Sequence, residues 1–220
     1  MIQLDSHAFK GFDESLHKLV DLLSNMSKQV ESLITLLPAG LEAADSRAHA
    51  EAKNIDKLIN DAEINTDKAV AEIVGKFNLV GEELRFVLGS VKAAGALERL
   101  ADRMKNCSKR LAKIPHPMDD EIKHILSKSI SSLKAMIPLS LQQLFDYKPE
   151  VSKELLNLGA EVQRAYRHTL LRLNALKLTA EDTHHILLVA KNLDQASDMA
   201  IEIMKIGHYV NLGTKYEKAS

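Results

Sequence analysis

The sequence predicts an all-α protein built as two tandem three-helix bundles, and three observations support this. Apolar residues recur at the three- and four-residue spacing of an α-helix along most of the 220-residue chain. No stretch shows the alternating polar and apolar β-branched residues of a strand. Pro115-His116-Pro117 interrupts the pattern near the middle, because two prolines two residues apart end any helix. We therefore expect six long helices, three on each side of this break.

Three helices are predicted before the break, at about residues 4–37, 41–77 and 80–114. The first of them ends at Pro38-Ala39-Gly40. Its apolar stripe consists of Phe9, Phe12, Leu16, Leu19, Leu23, Met26, Val30, Leu33 and Leu37. The stripe of the second helix consists of Ile55, Leu58, Ile59, Ala62, Ala69 and Ile73. We expect these helices to form a first domain, residues 1–114.

Three more helices are predicted after the break, at about residues 122–144, 149–176 and 179–210. Pro149 suits the first turn of its helix, where the missing N–H breaks no helical hydrogen bond. Thr179 is a suitable N-cap, and Glu181 and Asp182 place negative charge at the positive end of the helix dipole. We expect these helices to form a second domain, residues 118–220.

The two halves resemble each other in detail, which indicates an internal duplication. Residues 61–65 (DAEIN) correspond to residues 159–163 (GAEVQ), and residues 97–102 (LERLAD) correspond to residues 193–198 (LDQASD). The two offsets, 98 and 96 residues, agree within two positions, so both matches place the halves in the same register.

The duplicated element carries two carboxylates four residues apart, Glu98 with Asp102 and Asp194 with Asp198. Residues at this spacing share one face of a helix, where like charges repel by a few tenths of a kcal/mol. At about 100° per residue, both pairs fall on the flank of their apolar stripe, and Asp61 falls on a similar flank. Such carboxylates suit a hard cation, namely iron, Mn²⁺ or Mg²⁺. All five are candidate metal ligands, and the alternative is that they are ordinary solvated charges.

The sequence shows no catalytic site. Glu-x-x-His, the motif of di-iron helix bundles, occurs three times, but each copy faces away from its apolar stripe. The three copies are Glu14/His17, Glu121/His124 and Glu181/His184. No Gly-rich phosphate loop and no Gly-x-Ser-x-Gly elbow occurs, so we expect neither an enzyme nor an organic cofactor. A metal-dependent helical enzyme and a metal-free helical scaffold stay as alternatives.

Composition excludes several other classes. The net charge is −1, aromatic residues make up 4% and Trp is absent, so nucleic acid is not an expected partner. The single cysteine, Cys107, excludes an internal disulfide and favours a small buried thiol.

The N-terminus lacks the pattern of a signal peptide. The longest aliphatic run, residues 186–190, is far shorter than the ~20 residues of a membrane span. We expect a cytoplasmic protein that reaches the membrane only through partners.

The motifs resemble those of the PhoU family over nearly the whole chain. Residues 12–16 (FDESL) are similar to the family's opening Phe-Asp-x-x-Leu. Residues 84–88 (LRFVL), residues 97–102 (LERLAD) and Asn106 are similar to its first signature. That signature reads Leu-Arg, then Leu-Glu-Arg-Ile-Gly-Asp, then Asn four residues on. Residues 183–194 (THHILLVAKNLD) resemble the approach to the second signature.

This resemblance implies a cytoplasmic, usually dimeric adaptor with metal at the acidic motifs. It also implies two partners, the ATPase of a phosphate ABC transporter and a sensor histidine kinase. The predicted function is therefore regulation of phosphate uptake and of phosphate-responsive signalling. Met118 and Met136, apolar residues left over near the break, also favour a homodimer.

The second copy departs from the family pattern. The residues that differ are Asp194, Gln195, Ser197, Glu202 and Lys205. In addition, Gly159 stands at the position that corresponds to Asp61. On the helical wheel Lys205 lies between the two acids of the second copy, and we expect it to neutralise them. Metal binding is therefore expected mainly in the first copy.

Overall fold

The computed structural model describes residues 10–44, 46–114 and 117–217, and every regular element in these ranges is an α-helix. The helices in chain order are α1 (Lys10–Thr35), α2 (Leu37–Glu42), α3 (Ser46–Lys76), α4 (Gly81–Leu111), α5 (Asp120–Phe145), α6 (Pro149–Ala175) and α7 (Ala180–Leu212). The prediction of an all-α fold with six long helices is confirmed. Within the described ranges, no helix is long and apolar enough to cross a membrane.

The first long helix is shorter than predicted, because the chain turns before Pro38 rather than at it. Pro38 lies in the first turn of the short helix α2, where its missing N–H breaks no hydrogen bond. A methyl group on Gly40 would come within 2.8 Å of Leu111 Cβ, so glycine allows α2 to lie against the end of α4. Leu4 and Phe9, which were assigned to the first helix, lie outside the described residues.

Each half of the chain forms a three-helix bundle. Helices α1, α3 and α4 pack together in the first, and α5, α6 and α7 pack together in the second. The bundles meet mainly through α4 and α7, and the buried apolar side chains of both belong to one core. The predicted domain limits, 1–114 and 118–220, stay a prediction.

The contact between α4 and α7 is lined by small residues. Gly89 faces Val210 near one end and Cys107 faces Val189 near the other, so the two helices run antiparallel. A methyl group on Gly89 would lie 2.6 Å from Val210 Cγ2. The small residues buried on these helices include Ser90, Ala93, Ala94, Ala96 and Ala101 on α4, and Ala190, Ala196, Ser197 and Ala200 on α7. Because the distance between helix axes follows side-chain size, the two backbones approach closely.

Cys107 is buried in this contact. Its thiol donates to the carbonyl oxygen of Val189, with an S–O distance of 3.6 Å. Burial raises the pKa of the Cys107 thiol, and nearby Arg103 offsets this only in part. The thiol therefore stays protonated and fills space between the helices, as the sequence predicts.

The buried face of α3 differs from the predicted stripe. Leu58, a member of that stripe, is 54% exposed, whereas the polar residues Asp56 and Thr66 are buried. Thr66 donates its hydroxyl to the carbonyl oxygen of Ala62 at 2.8 Å, so burial leaves it satisfied. The other members of the predicted stripe are buried or half-buried, so only Leu58 was wrongly assigned. Asp56 and Thr66 were missed because buried polar residues contribute nothing to an apolar pattern.

The two methionines that favoured a dimer belong to the core of the chain itself. Met118 is 7% exposed and Met136 is fully buried. They leave no apolar surface for a second copy, so this sequence argument for a homodimer is wrong. The homodimer stays a prediction that the family resemblance alone supports.

Side-chain caps define the starts of α5 and α7. Asp119 accepts from the N–H of Ile122 at 3.1 Å and also pairs with Arg172, which ties the start of α5 to the end of α6. The Arg172 guanidinium lowers the pKa of Asp119. Thr179 accepts from the N–H of Asp182 at 3.1 Å, which confirms the predicted N-cap.

We expect Gly207→Ala to destabilise the protein, because Gly207 is where α7 touches the backbone of α5. A methyl group there would lie 2.2 Å from the carbonyl oxygen of Gln143, so the helices would have to move apart. The expected loss is about 1–3 kcal/mol in the free energy of unfolding, measured by urea denaturation. Gly75→Ala in α3 is the control, since nothing lies within 4 Å of its added methyl group. Equal effects of the two substitutions would contradict this close helix contact.

Candidate functional site

The first acidic pair lies on α4 where that helix faces α3. Glu98 and Asp102 are half-buried and one helical turn apart, so they lie on the flank of the core. Two carboxylates of α3, Asp56 and Glu63, lie close enough to act on Glu98. We call these four residues the first acidic shoulder.

Lys105 is the cation of the first acidic shoulder. Its Nζ lies 2.8 Å from Oδ2 of Asp56 and 2.9 Å from Oδ1 of Asp102. The other oxygen of Asp102 accepts from the side-chain amide of Asn106 at 3.0 Å. Burial disfavours the charged lysine, but its hydrogen bonds to the two aspartates outweigh burial and raise the pKa of Lys105. The ammonium therefore stays charged and joins α3 to α4.

Glu98 carries the charge that Lys105 does not neutralise. Burial raises the pKa of Glu98, and the carboxylates of Glu63, Asp102 and Asp56 raise it further. The Lys105 ammonium offsets this only in part. In the part of the chain that the structure describes, no side chain forms an ion pair or hydrogen bond with the Glu98 carboxylate. Glu63 likewise forms no ion pair or hydrogen bond with a described side chain, so both glutamates of this shoulder are available to a cation or a partner.

The second acidic pair, on α7, has a different cation. Asp194 is half-buried and Asp198 is exposed. Burial raises the pKa of Asp194 and the charge of Asp198 raises it further, whereas Arg167 on α6 lowers it. The prediction that Lys205 neutralises this pair is wrong. Lys205 instead lies in a groove between α4 and α7. The prediction failed because the wheel angle does not show which neighbouring helix each flank faces.

Asp61, the fifth candidate ligand, is exposed on α3. The structure brings Glu63 and Asp56 towards Glu98 in its place. Their seven-residue spacing, two helical turns on the face of buried Ile59, was a signal that could have identified them. Only the packing of α3 against α4 shows that they meet the signature helix.

The two units have diverged at this point. With the offset of 96 residues, Lys105 corresponds to Ile201, and with the offset of 98 residues, Asp61 corresponds to Gly159. Ile201 packs onto Gly159, since a methyl group there would lie 2.7 Å from Ile201 Cδ1. The first unit joins its second and third long helices by an ion pair where the second unit uses an apolar contact.

The side chains as arranged do not form a metal centre. A metal ion held by protein groups needs several ligands that converge on one point. Within the described residues, no group of three or more His, Cys, Asp or Glu side chains meets this requirement. Glu98 and Asp102 form an incomplete set, and Lys105 already holds one oxygen of Asp102. A bound ion would have to replace this lysine.

The three Glu-x-x-His motifs lie on the surface, as the helical wheels predict. Their exposed side chains are Glu14, His17, Glu121, His124, Glu181 and His184. They therefore do not converge inside either bundle, which a buried di-iron site requires.

Sequence comparisons relate both halves of the chain to one family. A PhoU domain model matches residues 23–111, within the first bundle. Over nearly its full length the chain is similar to the "Phosphate-specific transport system accessory protein PhoU homolog" of Rhizobium meliloti (strain 1021). The two are 24% identical over 221 residues, which cover 96% of this chain and 91% of that protein. The homolog with the same description from Zymomonas mobilis is 25% identical over 213 residues, 94% of this chain and 89% of that protein. These matches support a place for the chain in the PhoU family.

Two crystal structures of PhoU proteins have the same fold. PhoU from Pseudomonas aeruginosa superimposes with a TM-score of 0.81 at 21% identity, over 92% of this chain and all of that one. The phosphate transport system regulatory protein PhoU from Streptococcus pneumoniae gives a TM-score of 0.74 at 16% identity, over 94% of this chain and all of that one. The first acidic shoulder therefore lies on a PhoU fold.

We expect Glu98→Gln to stabilise the protein at neutral pH. The pKa of Glu98 is higher in the folded chain than in the unfolded chain, so the ionised side chain disfavours folding above the folded-state pKa. As the pH falls through that pKa towards the unfolded value of about 4.3, Glu98 takes up its proton and the penalty disappears. The gain should amount to a few tenths of a kcal/mol or more. The gain in stability is measured as the difference in melting temperature between wild type and Glu98→Gln, in metal-free buffer at neutral pH and at pH ~4.

Glu154→Gln is the matched control, because Glu154 is an exposed glutamate on α6. This substitution should leave the melting temperature unchanged at both pH values. If Glu98→Gln raised the melting temperature equally at neutral and at acidic pH, charge repulsion at the first acidic shoulder would not be the cause of the stabilisation.

Proposed function

We propose that this protein is an accessory regulator of phosphate transport, and that it acts by binding rather than by catalysis. The observation that carries the proposal is similarity over almost the whole chain to proteins named phosphate-specific transport system accessory proteins. The proposed partners are the ATPase of a phosphate ABC transporter and a sensor histidine kinase. The protein would transmit the state of the transporter to the kinase from the cytoplasmic side.

An open groove between α4 and α7, of about 710 Å³, is the surface best suited to such a partner. Its apolar residues include Leu88 and Tyr209, which are 49% and 46% exposed. Adjoining apolar side chains exposed to this degree are typical of a binding surface. We call it the docking groove, and its lining residues are Leu84, Arg85, Leu88, Gly89, Val91, Lys92, Glu202, Lys205, Ile206, Tyr209 and Lys215.

The docking groove has a basic rim, which indicates the chemistry of its partner. Arginine and lysine supply four positive charges around it, and Glu202 supplies the single negative charge. Glu202 is already paired with Arg99, with an N–O distance of 3.2 Å. An amphipathic segment of the ATPase with an apolar face and acidic edges would match this surface. We propose such a segment as its occupant.

Metal at the acidic motifs is part of the proposal only in a restricted form. The first acidic shoulder would bind an ion weakly, since Glu98 and Asp102 would have to be completed by water or by a partner. The Lys105 ammonium competes for the same oxygens. Binding at Asp194, Asp198 and Asp61 stays a prediction, as do the identity of the metal and the homodimer.

We expect Leu88→Glu to weaken binding to the purified transporter ATPase at least tenfold. The substitution places a negative charge in the apolar floor, where it disfavours both the apolar contact and an acidic partner. Affinity is measured by biolayer interferometry with the purified ATPase. Leu171→Glu is the matched control, since Leu171 is 69% exposed on α6, away from the groove lining.

Equal affinities of the two variants would exclude the docking groove as the ATPase site. Sedimentation of each variant alone tests a second possibility. If Leu88→Glu changed the oligomeric state, the groove would hold another copy of this chain and our assignment of its occupant would be wrong.

We expect Asp102→Asn to lower the bound metal content, and Lys105→Gln to raise it. The first change removes a charged ligand and the second removes the competing ammonium. Asp198→Asn should have a smaller effect, because the cation Arg167 acts on the second pair, whereas two further carboxylates, Asp56 and Glu63, act on the first. The metal-to-protein ratio is measured after purification without a chelating tag, with circular dichroism to confirm folding. The same ratio in wild type and Asp102→Asn would leave these carboxylates as ordinary charges.

A further inference from the structure

A second groove lies between α3 and α4, near the start of α3, and it is basic rather than acidic. Its volume is about 550 Å³. Three of its lining residues, Lys53, Lys57 and Lys105, are lysines, and Asp56 is the one acid among them. Ser46, His49 and Asn54 supply further polar groups. We call this the lysine groove. It shares Asp56 and Lys105 with the first acidic shoulder, and the function proposed above makes no use of its other residues.

His49 reports a positive potential in the lysine groove. Burial lowers the pKa of His49, and the charges of Lys53, Lys109 and Lys105 lower it further. The imidazole is therefore neutral at physiological pH. Three lysines from two helices thus act on one side chain, and the nearby carboxylate of Asp56 does not cancel their effect.

The hydrogen bonds of His49 determine its tautomer. Ser108 Oγ donates to the carbonyl oxygen of Lys105 at 2.7 Å, so its hydrogen is already committed. His49 Nδ1 lies 3.0 Å from the same Oγ and must therefore donate to it. In the neutral ring this leaves Nε2 with a free lone pair, which accepts a proton or a hydrogen bond.

Donors in the lysine groove are left without acceptors. Neither Lys53 nor Lys57 forms an ion pair with any side chain in the described part of the chain. Lys105 uses two of its three ammonium hydrogens on Asp56 and Asp102. Asp56 is 7% exposed, and its Oδ1 is buried without a partner. The groove therefore contains ammonium hydrogens without acceptors, and beside them a buried carboxylate oxygen of Asp56 without a donor.

The fold itself does not require these charges. Lys53 and Lys57 are both exposed on α3, so neither fills space between the packed helices. With the offset of 96 residues, the third lysine, Lys105, is replaced by Ile201 in the second unit. The ammonium groups of Lys53 and Lys57 are therefore available to a ligand in the groove.

We infer that the lysine groove binds a phosphate-class oxyanion, either inorganic phosphate or a phosphoryl group carried by a partner. Lys53, Lys57 and Lys105 supply charge-assisted hydrogen bonds to its oxygens. A protonated phosphate oxygen can donate to the free Nε2 lone pair of His49, whereas sulfate is fully ionised at neutral pH and has no proton to donate. This inference rests on the proposed function, since a regulator of phosphate transport would then respond to the transported ion itself.

The test follows the ring proton of His49 by NMR during titration with inorganic phosphate at constant ionic strength, and His49→Gln identifies the signal. We expect a saturable shift of this signal and a higher pKa for His49. A bound anion would offset the positive charges of Lys53, Lys105 and Lys109, which lower that pKa. The double variant Lys53→Gln/Lys57→Gln should bind phosphate at least tenfold more weakly. The control, Lys68→Gln/Lys153→Gln, removes two exposed lysines elsewhere and should bind like wild type.

Parallel titrations use sulfate, sodium chloride alone and a phosphoserine peptide. Saturation by phosphate identifies the free ion as the ligand, and saturation by the peptide alone identifies a phosphoryl group on a partner. Equal binding of sulfate, a shift that chloride reproduces, or saturation by neither phosphate source would overturn the inference. ATPase affinity of the same variants, measured without phosphate, tests the proposed function independently. If that affinity is normal while phosphate fails to bind, the inference alone is wrong.

Discussion

The close contact between α4 and α7 is the constraint on which the rest of the structure depends. Gly89 and the small residues along both helices bring the two backbones together, and at Gly207 α7 also meets the backbone of α5. Because packed interiors tolerate little added volume, these positions accept no larger side chain without movement of a helix. Both signature segments lie on these two helices, so their acidic flanks are held by the central contact of the molecule.

This central contact also explains why two different surfaces flank α4. One flank faces α3 and carries the first acidic shoulder, with Lys105 bound between Asp56 and Asp102. Another faces α7 and forms the docking groove, where Leu88 is exposed. A single helix thus contributes to an ionic surface and to an apolar one.

Divergence between the duplicated units shows which features are architectural and which are chemical. Each unit keeps three packed helices, but Lys105 of the first is replaced by Ile201 in the second. An apolar contact joins the helices without the desolvation cost of a buried ion pair. In the first unit the helices are joined instead by the ion pair of Lys105 with Asp56. This pair lies beside Glu98, whose carboxylate has no partner among the described side chains. The ion pair of Lys105 is therefore not required by the three-helix architecture, since the second unit packs without it.

The sequence by itself determined the class of fold, the number of long helices and most of their ends. These features depend on local physics, namely helical periodicity, the N-cap at Thr179 and the proline at the start of α6. It also identified Glu98 and Asp102 and placed them correctly on the flank of the core, because that position follows from their own helix alone.

Only the tertiary structure decided which residues meet those carboxylates. The sequence selected Asp61, but the packing brings Asp56, Glu63 and Lys105 to the first acidic shoulder. A helical wheel gives the direction of a side chain about its own axis, and it contains no information on the neighbouring helix or on the height at which the two cross. That relation depends on side-chain volumes along the whole interface, which is why Leu58 is exposed while Asp56 is buried.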